Sequence, residues 1–200
     1  MLNDFDALMK LDPVLSEARQ HIGTPPERHL EPGFATLLRI IVDQQVSVAS
    51  GRAIWQKLMQ TVDGVTPEKI DAASPETLRS AGLSQPKTRY AQCLSTAVLS
   101  GDLDLDGLQT LPDQKVMDEL TAITGIGRWT AEIYLMFALK RPDIWPVGDL
   151  ALAEAAKRLL KRDARPDQPE MEKIGARWKP YRTAAAVFLW HYYKKAPVTM

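Results

Sequence analysis

Apolar residues recur every three or four positions along nearly all of this chain, and no convincing alternating run appears. That spacing lines one face of successive helices, so the pattern predicts an all-α fold. Asp12-Pro13 opens a helix with the stripe Val14, Leu15, Ala18 and Ile22, which Gly23-Thr24-Pro25-Pro26 stops. Phe34 to Gln45 reads as a strongly apolar helix with Phe34, Leu37, Leu38, Ile41 and Val42 on one wide face. Ser47 caps the next, which carries Ile54, Trp55, Leu58 and Met59. Thr66-Pro67-Glu68 and Ser74-Pro75-Glu76 are helix starts of one type: cap, proline, acid. Ser84-Gln85-Pro86-Lys87 begins a longer helix through Tyr90, Cys93, Leu94, Ala97 and Val98, closed by Gly101. Leu103 to Leu111 is irregular or a short helix, and Pro112-Asp113 starts a helix with Val116, Leu120 and Ile123 inward. Helices then follow over 128–140 and 150–161, a short one over 169–179, and a last one from Pro180 bearing Tyr181, Val187, Phe188, Trp190 and Tyr192.

Three polar or glycine-bearing breaks stand out. Gly125-Ile126-Gly127 joins two helices in a tight hairpin, where glycine permits positive φ and close approach of another chain. The first amide N–H groups of the following helix lack internal partners and suit a phosphate oxygen, although the same residues serve as an ordinary glycine cap between helices. Gln44-Gln45 sits at an interhelical corner, either as a polar turn or as paired donors and acceptors for a ligand. Pro146-Val147-Gly148-Asp149 delivers a carboxylate to the start of a helix, as a plain N-cap or as a chemical group.

Composition narrows the picture. The 200 residues, 45% hydrophobic and 25% charged, suit a single globular domain or two small lobes sharing a core. With 25 basic and 25 acidic residues the formal charge is zero, which argues mildly against a non-specific nucleic-acid coat. Lys173, Arg177, Lys179, Arg182, Lys194 and Lys195 crowd the C-terminal stretch, so either a basic face or a solvated helix surface is expected there. The single cysteine, Cys93, excludes an intramolecular disulfide and a four-cysteine cluster. It falls on an apolar stripe and reads as a small core residue. No apolar run suits a membrane span, and the acidic N-terminus does not resemble a signal peptide, so the cytoplasm (the nucleoid, in a bacterium) is expected.

Ile123-Thr124-Gly125-Ile126-Gly127-Arg128-Trp129-Thr130-Ala131, with Asp149 at the head of the next helix, resembles the helix-hairpin-helix DNA glycosylase superfamily. The similarity is strongest to its 3-methyladenine DNA glycosylase II branch, the alkylation-repair enzymes. Gln44-Gln45-Val46-Ser47-Val48-Ala49 and Arg177-Trp178-Lys179-Pro180-Tyr181-Arg182 with Trp190 support that branch, and the resemblance runs over residues 30–195. It implies one domain over 1–200, a two-lobed helical glycosylase fold with a cleft between the lobes. It implies Asp149 as the catalytic aspartate, and Trp129 and Trp190 as walls of the base pocket. Gly125, Ile126, Gly127, Arg128 and Thr130 would bind the DNA backbone, and Gln44 and Gln45 would form the wedge pushed into the duplex. Carbonyls of Thr121, Ile123 and Ile126 match the family's monovalent-cation site, for a structural sodium or potassium ion, with no cofactor required.

The departures from the family carry meaning. Trp129 stands where bifunctional relatives have a lysine nucleophile, so no Schiff-base lyase activity is expected. The cysteines of the Fe–S relatives are missing, and 200 residues leave no room for the extra β-rich domain of larger bacterial relatives. The wedge is polar at Gln45, and Leu150 replaces an aromatic that can follow the aspartate, implying a more open pocket rim. The resemblance therefore implies a monomeric, monofunctional enzyme. It would extrude an alkylated purine from double-stranded DNA and hydrolyse its N-glycosidic bond, away from any membrane. The alternative is a non-catalytic helix-hairpin-helix DNA-binding protein, which would explain the hairpin but not Asp149 with Trp190.

Overall fold

The computed structural model describes residues 2–196, and every regular element among them is helical. The chain divides into two compact units: Leu30–Leu139, and Met1–His29 together with Lys140–Met200. Each has a core of its own.

The Leu30–Leu139 unit contains α3 (Phe34–Asp43), α4 (Val48–Thr61), α5 (Pro67–Ala72), α6 (Pro75–Ser80), α7 (Gln85–Ser100), α8 (Asp113–Thr121) and α9 (Arg128–Phe137), with a 3-10 turn at Gly107–Thr110. The expected caps form: Ser47, Thr66, Ser74 and Ser84 each accept a backbone N–H of the first turn, and Gly101 takes the left-handed conformation that closes α7. Helix α3 buries Leu37, Leu38, Ile41 and Val42 completely. Each such side chain contributes about 1.5–3 kcal/mol relative to exposure. Helix α9 is buried on all sides from Thr130 to Phe137, which marks it as the centre of its unit. Its Tyr134 hydroxyl accepts the Gly33 N–H at 2.8 Å and so ties down the start of α3, while burial raises the phenol above its usual pKa.

The other unit contains α1 (Leu2–Leu11), α2 (Pro13–Ile22), α10 (Leu150–Leu159), α11 (Gln168–Ala176) and α12 (Arg182–Lys195). Helix α10 packs on α12, which also contacts α1 and α2. Helix α1 has no counterpart among the sequence-based expectations. The Asp12 cap of α2 is present, but its role is larger than a cap. Asp12 is 4% exposed; its Oδ1 accepts Val14 N–H at 2.9 Å, and its Oδ2 accepts the Trp178 indole N–H at 2.7 Å and Arg177 Nη2 at 3.0 Å. Val14 departs from the expected stripe and lies exposed, since the helix turns Leu15 and Ala18 inward instead. The expected basic C-terminal face is partly neutralised: Arg177 pairs with Asp12, and Arg182 makes a two-pronged pair with Asp143 at 2.7 and 2.9 Å.

Candidate DNA-contacting and catalytic groups

The hairpin between α8 and α9 lies in the Leu30–Leu139 unit. Gly125 has φ 98°, and a Cβ there would strike the ring of Tyr90, so both its backbone and its surroundings demand glycine. Gly127 does not share that conformation. Its φ is −86° and its ψ 172°, extended backbone open to any residue, and nothing lies within 4 Å of where its Cβ would be. No intramolecular reason calls for glycine at 127, which leaves room for an external group against the first turn of α9. Gly127 has no side chain to cap that turn. A phosphate is one kind of acceptor that suits such a turn.

Ile126 is buried and anchors the tip of the hairpin, and its N–H donates to the Ile123 carbonyl at 3.0 Å. That carbonyl keeps a second lone pair. Among the described residues no cluster of His, Cys, Asp or Glu could hold a metal. Arg128 is exposed, with its Nε donating to the buried carboxylate of Glu132 at 2.8 Å.

Two of the expected contact residues have side chains engaged within the chain. Thr130, expected to bind the DNA backbone, is 2% exposed. Its Oγ1 accepts the Gln44 side-chain amide at 2.9 Å, and the same Gln44 nitrogen donates to the Gly125 carbonyl at 3.2 Å. Gln44, expected in the wedge beside Gln45, therefore turns inward and ties the α3–α4 corner to the hairpin. Both bonds are made by the one side-chain nitrogen of Gln44. Gln45 alone is exposed, and it sits at φ 54°, a left-handed conformation uncommon for a non-glycine residue. Val46 and Val48 beside it are exposed apolar residues.

Asp149 and Trp190 lie in the other unit. Asp149 is the N-cap of α10: its Oδ1 accepts the Leu152 N–H at 2.7 Å. The same oxygen accepts the indole N–H of Trp190, on α12, at 3.1 Å. The packing of α10 on α12 thus brings together two residues forty-one positions apart in the chain. Trp190 is expected as a stacking surface, and its hydrogen bond to the carboxylate has no sequence signature. Both donors fix the orientation of the carboxylate. The preceding loop is packed into its unit: Ile144, Trp145, Pro146 and Val147 are buried, Trp145 donates its indole N–H to the Met171 carbonyl at 2.8 Å, and a Cβ on Gly175 would collide with that indole. Leu150, after Asp149, is 67% exposed, and Trp129, at the start of α9, is 36% exposed.

Comparison with known proteins places these groups in context. The model for HhH-GPD superfamily base excision DNA repair proteins matches residues 38–180. A Schizosaccharomyces pombe protein named DNA-3-methyladenine glycosylase 1 is 30% identical, over 87% of this chain and 79% of its own. A Bacillus subtilis relative is also 30% identical over 86% of this chain, which spans 62% of that relative's length. Among solved structures, the S. pombe 3-methyladenine DNA glycosylase in complex with abasic DNA superimposes with a TM-score of 0.90 at 28% identity, covering 99% of this chain and all of that one. The hairpin, the capped aspartate and these matches agree: this chain belongs to the HhH-GPD superfamily of base excision DNA repair proteins.

Proposed function

We propose that this protein is a monofunctional DNA-3-methyladenine glycosylase, which flips an alkylated purine out of duplex DNA and hydrolyses its N-glycosidic bond to leave an abasic site. The observation that carries the reading is the Asp149 carboxylate, held at the head of α10 by the Leu152 N–H and the Trp190 indole N–H. The names of the S. pombe relative and of the matching DNA complex support it.

The chemistry follows from the substrate. A base inside the duplex is out of reach, and extruding it costs about a few kcal/mol, least for a damaged base. Methylation at N3 or N7 gives a purine a positive charge, so it stacks on an electron-rich indole such as Trp190 or Trp129 and leaves without a strong general acid. Loss of the base develops positive charge on the sugar, which the Asp149 carboxylate stabilises electrostatically. The same carboxylate orients and deprotonates the attacking water. Gly127 and the first turn of α9 hold a backbone phosphate and set position rather than sequence. Carbonyls of Thr121, Ile123 and Ile126 would hold a sodium or potassium ion, adding positive charge beside that phosphate. With Trp129 in the place of a lysine nucleophile, no imine to the sugar forms and the strand stays intact. The reaction belongs where the DNA is, in the cytoplasm or on the nucleoid of a bacterium.

The test is incubation with methylated duplex DNA. Free methylated purine should appear, strand breaks should need added alkali, and borohydride should trap no protein–DNA cross-link. Tight binding without base release would favour a non-catalytic DNA-binding protein, and a trapped cross-link would indicate a lyase.

A further inference from the structure

Both segments assigned to DNA in the Leu30–Leu139 unit rest on one face of α7. Tyr90 and Lys87 lie three residues apart on that helix, hence side by side. Tyr90 backs the hairpin so closely that only glycine fits at 125. The Lys87 ammonium donates to the Val42 carbonyl at 2.8 Å and the Gln44 carbonyl at 2.7 Å, where α3 ends and the corner begins. Two of its three donors are thereby spent on the backbone that leads into Gln45. The Gln44 amide completes the circuit with its bonds to Gly125 and Thr130. Partial burial lowers the pKa of Lys87, while the nearby Asp43 carboxylate raises it. Asp43 Oδ1 is itself buried without a hydrogen-bond partner, and a Cβ on Gly51 would collide with it.

We propose that Lys87 is a positioning residue for base extrusion: through the Val42 and Gln44 carbonyls it locks the Gln45 corner onto the phosphate-binding hairpin, so that the wedge enters the duplex in register with the backbone contact. This rests on reading Gln45 as the wedge. Lys87 touches neither the extruded base nor the reacting sugar in this scheme. Its effect is confined to the step that opens the duplex, because the left-handed Gln45 conformation has to be over-determined by its surroundings to persist.

The experiment compares wild type, Lys87→Met and Lys87→Arg, each verified as folded by circular dichroism. It reads affinity for undamaged duplex, fluorescence of 2-aminopurine beside an abasic-site analogue in duplex, and single-turnover release of 7-methylguanine from duplex and from single-stranded DNA. Lys87→Met should keep its affinity for undamaged duplex, lose the fluorescence rise, and release base from duplex about tenfold or more slowly, as expected of a displaced positioning group. Its release from single strands should match wild type, and Lys87→Arg should recover part of the duplex rate. Unchanged duplex release, or equal losses on duplex and single strand, would overturn the proposal. If Lys87→Met does not fold, Gln44→Met cuts the same circuit at its other end and must show the same selective loss. If wild type releases no base, the glycosylase reading falls, but the fluorescence arm still decides the role of Lys87, since wedge insertion requires no excision.

Discussion

The indole N–H of Trp190 reaches Asp149 Oδ1 at 3.1 Å, on the same oxygen that accepts the Leu152 N–H at 2.7 Å. One carboxylate oxygen is thus fixed from two directions, by the helix it caps and by the helix packed beside it. This orients the whole group without reliance on the conformation of a long side chain. The indole bond can be separated by mutation from the stacking proposed for Trp190. Trp190→Phe keeps an aromatic face and removes the donor. Base release by that variant should slow by about ten- to a hundredfold, in line with a hydrogen bond to a charged group worth roughly 1.5–3 kcal/mol. Binding to an abasic-site duplex should change little. A single-turnover assay with parallel affinity measurement checks both.

Asp149→Asn should leave the fold almost untouched, because asparagine caps a helix about as well as aspartate. It should nevertheless abolish most excision, with a loss of about a hundredfold or more, since the charge proposed to stabilise the sugar is gone. The check is thermal unfolding beside release of methylated base. Near-normal release would remove Asp149 from the reaction.

The hairpin glycines should behave differently. Gly127→Ala places a methyl in open space at an ordinary φ, so stability should move by no more than about 0.5 kcal/mol. Its affinity should fall for every duplex alike, damaged or not, as befits a backbone contact. Gly125→Ala forces a β-carbon into Tyr90 at φ 98° and should cost about 2–4 kcal/mol of stability. Urea unfolding and a binding titration on both variants distinguish the glycine the fold needs from the one a ligand needs.

Asp12→Ala should destabilise the protein by about 2–3 kcal/mol, through loss of the cap and of the partner of the fully buried Trp178 indole. Asp12→Asn should retain much of that stability. Folded Asp12→Ala protein should excise methylated base at the normal rate, because Asp12 holds α2 and the Arg177-Trp178 segment and is assigned no role in chemistry. Urea melts and activity normalised to folded protein test this.

Local chemistry wrote much of this protein into its sequence. Each Ser/Thr-Pro-Glu start became a capped helix, because the caps and proline act on their own turn. The wide apolar face of Phe34 to Val42 became a core helix, because burial follows the 3.6-residue period. The hairpin was legible because its glycines and the helix they open lie within a few residues; Asp149 by itself read as an N-cap, and only its place after the hairpin suggested chemistry. Tertiary packing alone decided the rest. Gln44 and Gln45 are adjacent and chemically identical, yet one is bonded to Gly125 and Thr130 and the other exposed, since a reversal in φ between neighbours sends their side chains apart. Lys87 on Val42 and Gln44, Trp190 on Asp149 and Trp178 on Asp12 join positions far apart in the chain. Such bonds depend on which helix faces meet and at what rotation, and only the assembled cores of the two units supply that.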